Sequence, residues 1–303
     1  MVRPRCLPEK DPTCLILSGG GSRIVATLGA LCHIHELYPC FLDQVSKYVG
    51  TSAGAILSLL LCCGYTIPEL QLMLNELDMA SFISIDFGLF FQPSVLGIDD
   101  GYLYLKWIAD RMKLKGVSPD ISLLELQEKT GKSLVAITTD INTKSIFCMT
   151  PDTVPQFSAL LAVRASIGIP ILFKPIIYED KCLVDGGVLC PFAFDLFVSL
   201  IADTETILGI NLKEPDMERT TTADDRQRTP RNMYEMFCIC LSLMTPSVSI
   251  DVDKEADRCT ASFPHQQHTV LNIGLSKFYN IIAATKEQQD EMFTDGWSAV
   301  ESS

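Results

Sequence analysis

Two kinds of segment alternate along the chain. Short apolar runs bounded by glycine or charge, namely Cys14–Ser18, "VSKYVG" ending at Gly50, "SLVAITTDI" and "TILGINL", read as buried strands. A strand covered on both faces loses the in-out alternation of a surface strand. Longer stretches between them read as helices: Val25–Leu37, Ala53–Gly64, Gly101–Lys113, Ser122–Thr130, Phe157–Ser166 and Thr285–Ala299. A further helix runs to about Met79, with Pro68 in its first turn and Thr66 as N-cap. "SLVAITTDI" and "SIFCMT" read as a strand pair around a turn at Asn142–Lys144, "IPILFKPI" as extended chain, and "KCLVDGGVL" as a strand closing in a turn. Strands alternating with helices predict an α/β fold with a largely parallel sheet.

The same pattern divides the chain. Residues 1–12 read as a poorly ordered tail, 13–212 as one domain, and 213–232 as a polar loop built around "ERTTTADDRQRTPRN". Residues 233–303 are expected to be a C-terminal helical segment packing on the same domain.

Composition narrows the partners. A net charge of −13 leaves no basic cluster for phosphates, which excludes nucleic acid, and it disfavours long-range attraction to anionic lipid. Twelve cysteines suggest a disulfide framework, but several (Cys14, Cys32, Cys62, Cys63, Cys238, Cys240) sit inside apolar runs, where free cysteine behaves as a small hydrophobe. With no signal-like apolar segment near Met1 and no Cys-x-x-Cys pair, the expectation is a reducing cytoplasm and no metal. The uncharged run 48–68 is strongly apolar only over Ala53–Cys63, short of the roughly 20 residues a spanning helix needs. Met236–Ile250 is shorter than that and broken by Pro246, so no transmembrane segment is expected.

Three motifs carry candidate chemistry. Gly50-Thr51-Ser52-Ala53-Gly54 has the Gly-x-Ser-x-Gly form of a nucleophile elbow, preceded by an apolar strand and followed by a helix. Its bland reading is a glycine-assisted helix start. Gly19-Gly20-Gly21-Ser22-Arg23 follows a strand and opens a helix, where converging N–H groups receive an anion. A dinucleotide fingerprint fits it poorly, because Ile24 stands at the third glycine and Asp43 precedes the second strand. Asp185-Gly186-Gly187 closes an apolar strand, and alone it is only a turn.

In this order, and with "RASIGIPILFKP" (Arg164–Pro175) matching an Ala-Ser-x-x-x-Pro-x-x-Phe-x-Pro segment, the motifs resemble the patatin-like phospholipase family. The resemblance runs from about Cys14 to Leu212. It implies a three-layer, modified α/β-hydrolase-like fold with a mostly parallel central sheet. It also implies a phospholipase A-type lipid acyl hydrolase that uses a Ser–Asp dyad and no cofactor. Carried over, Ser52 is the nucleophile, Asp185 the general base, and Gly19–Arg23 the oxyanion loop. Gly20 and Gly21, with Ser22, supply N–H groups, and Arg23 braces the loop. Ile24 departs from the family's usual glycine. The implied partner is a lipid substrate at a membrane or droplet interface, met by peripheral contact. A lysophospholipase, triacylglycerol lipase or acyltransferase on the same site, or a catalytically silent lipid-binding scaffold, are the alternatives.

Chain order Ser52…Asp185…His265 or His268 also permits a three-residue site. The histidines lie in a polar stretch without diagnostic flanks, and the resemblance requires neither. His33 and His35 fall in the helix after the glycine loop, where core or surface roles are expected. Ser81–Phe91, with Phe82, Phe87, Phe90 and Phe91, is a candidate lid, with a core cluster as its rival reading. Arg164 and Lys174 are either headgroup contacts or solvated charges.

Overall fold

The computed structural model describes residues 3–75, 96–201, 205–213, 268–277, 279 and 284–303. The candidate lid, His265, Met236–Ile250 and nearly all of the polar loop lie outside the described residues. The described strands β1 (Cys14–Leu17), β2 (Lys47–Thr51), β4 (Ser133–Asp140), β9 (Ile207–Lys213) and β10 (His268–Gly274) run parallel in the order β10-β9-β1-β2-β4. Three more, β5 (Ser145–Met149), β7 (Ile176–Tyr178) and β8 (Lys181–Asp185), extend the sheet with antiparallel pairs. A separate two-stranded piece pairs β3 (Gly97–Asp99) with β6 (Ile171–Phe173). The result is a three-layer α/β fold around a mixed central sheet.

Alternate residues of the central strands β1, β2, β4 and β9 feed two cores, which is why runs such as Cys14–Leu17 lack in-out alternation. Leu15, Leu17, Leu208 and Ile210 face the larger core with helices α1 (Ile24–Leu37), α2 (Ala53–Cys62), α3 (Ile67–Asn75), α4 (Tyr102–Leu114), α5 (Leu123–Thr130), α6 (Ala159–Ser166) and α8 (Lys286–Glu301). Cys14, Ile16, Val49 and Ile207 face the smaller one, closed by Phe194, Phe197 and Val198 of α7 (Phe194–Ile201). Thr66 and Glu69 exchange hydrogen bonds at the start of α3, as the expected N-cap requires.

One local arrangement determines what meets at the sheet's carboxyl edge. Residues 136–140 of β4 pair with β5, while 133–137 pair with β2 and 138–140 with β8. Because β5 holds one edge, β2 and β8 must share the other, end to end. Strand β2 stops at Thr51 opposite Ile137, and β8 arrives at Asp185 opposite Thr138.

Two expectations change. Residues 3–12 carry no regular element, yet they are tied down. Cys6 and Leu7 are buried in the core, and Arg3 donates to Asp11 at 2.7 Å while lying over the Tyr38 ring. The C-terminal segment is not wholly helical, since β10 adds a strand beside β9 before α8.

Helix α8 crosses α1 at glycines. A Cβ on Gly296 would fall on the Ala26 carbonyl, and one on Gly29 on the Phe293 carbonyl. His33 stacks on Trp297 at 4.4 Å in the same interface, a core role. Gly→Ala inside a helix ordinarily stabilises by about 1 kcal/mol. Here Gly296→Ala is expected to destabilise by about 1–3 kcal/mol through overpacking, read as a lower urea midpoint. A raised midpoint would contradict the close crossing.

Candidate active site

Ser52 sits between β2 and α2 with φ 52° and ψ −124°, a left-handed backbone that serine rarely adopts and that costs roughly 1–3 kcal/mol. The flanking glycines make the turn possible by close approach. A Cβ at Gly50 would fall on the backbone of Ala55, and one at Gly54 would lie 2.6 Å from the carbonyl oxygens of Leu17 and Ser18. Packed between β2 and β1 in this way, α2 starts directly behind Ser52, and the serine itself is half-buried and reachable.

The side chains that the β4 edge brings together are Ser52 and Asp185. Ser52 Oγ donates to Asp185 Oδ2 at 2.7 Å, and the N–H of Gly187 donates to Asp185 Oδ1 at 2.7 Å. Asp185 is only 6% exposed. Burial pushes its carboxyl from the ordinary 3.8 up to about 6, against the downward pull of the two hydrogen bonds.

The glycine loop lies against the serine. A Cβ at Gly19 would come 3.3 Å from the Ser52 Cβ. The N–H of Gly19 is committed to Pro191 O at 2.8 Å, and that of Arg23 to Gly20 O at 3.1 Å, so neither main-chain group is available to a ligand. The N–H groups of Gly20 and Gly21 donate to no acceptor among the described residues. Arg23 Nε also donates to Gly20 O at 3.0 Å. Across a trans peptide this turns the Gly21 N–H to the opposite side. Leu212 covers the loop, since a Cβ on Gly20 would meet its Cδ1 at 2.6 Å.

The structure separates His268 from this site. In register His268 aligns with Ile207, Cys14 and Lys47, at the amino ends of the parallel strands. Ser52 lies five residues further along, roughly 17 Å at about 3.3 Å per residue. Neither expectation for Arg164 holds. It is 1% exposed, donates to Asp100 O at 3.0 and 3.1 Å and to Lys174 O at 2.9 Å, and lies over the Phe173 ring. It ties α6 to the two-stranded piece. Among the described residues no three His, Cys, Asp or Glu side chains converge as metal ligands, and no helix is long and apolar enough to cross a membrane.

Residues 15–198 match the model of the patatin-like phospholipases. The chain belongs to that family. The chain is similar to a probable lipid hydrolase, 463L of Invertebrate iridescent virus 6, which is 31% identical over 202 residues spanning 63% of this chain and 65% of that protein. The uncharacterised protein YqhO of Bacillus subtilis is 28% identical over 242 residues, 73% of this chain and 76% of YqhO. Among solved structures, VipD from Legionella pneumophila has a TM-score of 0.56 at 14% identity, covering 97% of this chain and 67% of its own. The type III effector ExoU has a TM-score of 0.53 at 14% identity, covering 97% and 53%. At such identity the likeness concerns the fold alone.

A raised carboxyl has a consequence for stability that is independent of function. Above pH 6 the folded state bears a buried carboxylate that the unfolded state solvates. Below about pH 4 both states carry the proton and the cost disappears. Asp185→Asn is therefore expected to exceed the parent in stability at pH 8 by about 3 kcal/mol. That gain should shrink as the pH falls from 6 to 4, followed by urea denaturation. A gain unchanged at pH 4 would contradict the burial argument.

Proposed function

We propose that the protein is a lipid acyl hydrolase of the phospholipase A type, acting through an acyl-Ser52 intermediate with Asp185 as base. The observation that carries this is the 2.7 Å bond from Ser52 Oγ to a buried carboxylate. As Oγ attacks the ester carbonyl, its proton passes to Asp185 Oδ2, and the N–H groups of Gly20 and Gly21 receive the developing oxyanion. Collapse expels the alcohol, which takes the proton back from Asp185. A water then attacks the acyl-serine with Asp185 again as base, and collapse breaks the Oγ–acyl bond, releasing the carboxylic acid while Ser52 Oγ takes the proton back from Asp185. Serine alone is a weak nucleophile, and the raised carboxyl pKa supplies basicity that a histidine would otherwise provide.

The substrate in this reading is a membrane phospholipid met at the interface by peripheral contact, in the cytoplasm, with core-buried cysteines such as Cys14 and Cys62 supporting a reducing setting. The family and the viral relative's name support lipid hydrolysis in general. Rates on diacyl, lyso and neutral lipids distinguish the phospholipase reading from its neighbours, and the highest rate is expected on diacyl phospholipid.

Ser52→Ala and Asp185→Asn are each expected to lower kcat on a soluble p-nitrophenyl ester by at least about 10³-fold with the fold intact. The parent's kcat/KM should fall as pH drops through about 6, because the base must be ionised. Labelling by a fluorophosphonate should vanish in Ser52→Ala. Full activity in Ser52→Ala ends the proposal, and a Ser52 inert to the probe in the parent favours a silent scaffold.

A further inference from the structure

At the junction on β4, β2 ends opposite Ile137 and leaves the next main-chain N–H, that of Ser52, beyond the ladder. A strained turn next to the junction needs some other group to hold it. That group is Ser166, the last residue of α6, which is fully buried. Its hydroxyl accepts from the Ser52 N–H at 2.9 Å and donates to Ile137 O at 2.6 Å. A serine near a helix end ordinarily bonds back to its own helix. Ser166 instead spans the break between β4 and the elbow. Two residues on, Gly168 O accepts from the Asp185 N–H at 2.9 Å. The turn 166–168 thus grips the main chain of both residues whose side chains meet.

We infer that Ser166 is a positioning residue for the reaction: its hydroxyl fixes the Ser52 backbone so that Oγ is held toward Asp185 and the glycine loop. The inference rests on the hydrolase reading above. Ser166 touches neither Ser52 Oγ nor the Asp185 carboxylate in the hydrogen bonds of the site, so its removal misplaces the nucleophile and leaves the base's ionisation alone. A displacement of about 1 Å is worth on the order of 10²-fold in rate.

The test compares Ser166→Ala, Ser166→Cys and, as a matched loss of a buried hydroxyl, Ser58→Ala. Ser58 Oγ in α2 is buried and has no partner among the described residues. Each is assayed on the p-nitrophenyl ester and by fluorophosphonate labelling, with urea midpoints to confirm folding. Ser166→Ala is expected to lower kcat and the labelling rate in parallel by roughly 10- to 100-fold, with KM within about twofold. Its acid limb should stay near that of the parent. Ser166→Cys, nearly isosteric with a weaker hydrogen bond, should fall between Ser166→Ala and the parent and keeps the test open if Ser166→Ala does not fold. Ser58→Ala should retain parental kcat. Either Ser166 variant, folded and with parental kcat and labelling while Ser52→Ala is dead, overturns the positioning role and leaves the hydrolase reading standing. An active Ser52→Ala removes both.

Discussion

One edge of β4 carries two strands end to end, and the rest of the site follows from that constraint. Strand β2 approaches from one side, β8 from the other, and neither can continue without meeting its neighbour. The chain therefore leaves the sheet at both places. It leaves β2 through the tight turn at Ser52 and β8 through Gly186, where a Cβ would fall on the Ile137 carbonyl. Side chains at the two exits are brought within hydrogen-bond reach by sheet geometry, before any chemistry is invoked. Ser166 and Gly168 supply the main-chain hydrogen bonds beside the interrupted ladder.

Burial then sets the basicity of the carboxylate in the pair. An aspartate opposite a serine on an open surface would be a weak base, ionised well below neutral pH. With 6% exposure and two hydrogen-bond donors, Asp185 remains ionisable but at a raised pKa near 6. The energy that folding gives up in enclosing this carboxylate is the same energy that raises its proton affinity. In the proposed reaction, stability and reactivity therefore pull in opposite directions at this site, as strained and desolvated functional sites commonly do. The left-handed backbone of Ser52 adds to that cost.

Much of this was legible in the sequence where local chemistry marks it. Gly50 and Gly54 announce close backbone approach, and each packs where any side chain would collide. The runs Cys14–Leu17 and Leu134–Ile137 are apolar throughout because both faces are covered. What stayed hidden was long-range pairing. Nothing in "KCLVDGG" says that β8 runs antiparallel along the edge β2 vacates. Strand β10, "HTVLNIG", is half-buried and mixes polar with apolar residues, so its run lacks a buried strand's signature; its Asn272 meets Asn211 of β9. Arg164 looked like a surface charge because arginines are rarely enclosed. Its carbonyl partners, Asp100 and Lys174, are distant or irregular in sequence, and only the fold brings them together.

In the proposed reaction the oxygen of Ser52 forms a covalent bond to the acyl group. Rapid acid quenching during turnover of a diacyl phospholipid or a p-nitrophenyl ester, followed by digestion and peptide mass spectrometry, observes that bond directly. An acyl mass is expected on the peptide containing Ser52 and on no cysteine. Turnover with no acylated peptide, or with the acyl group on another residue, would contradict it.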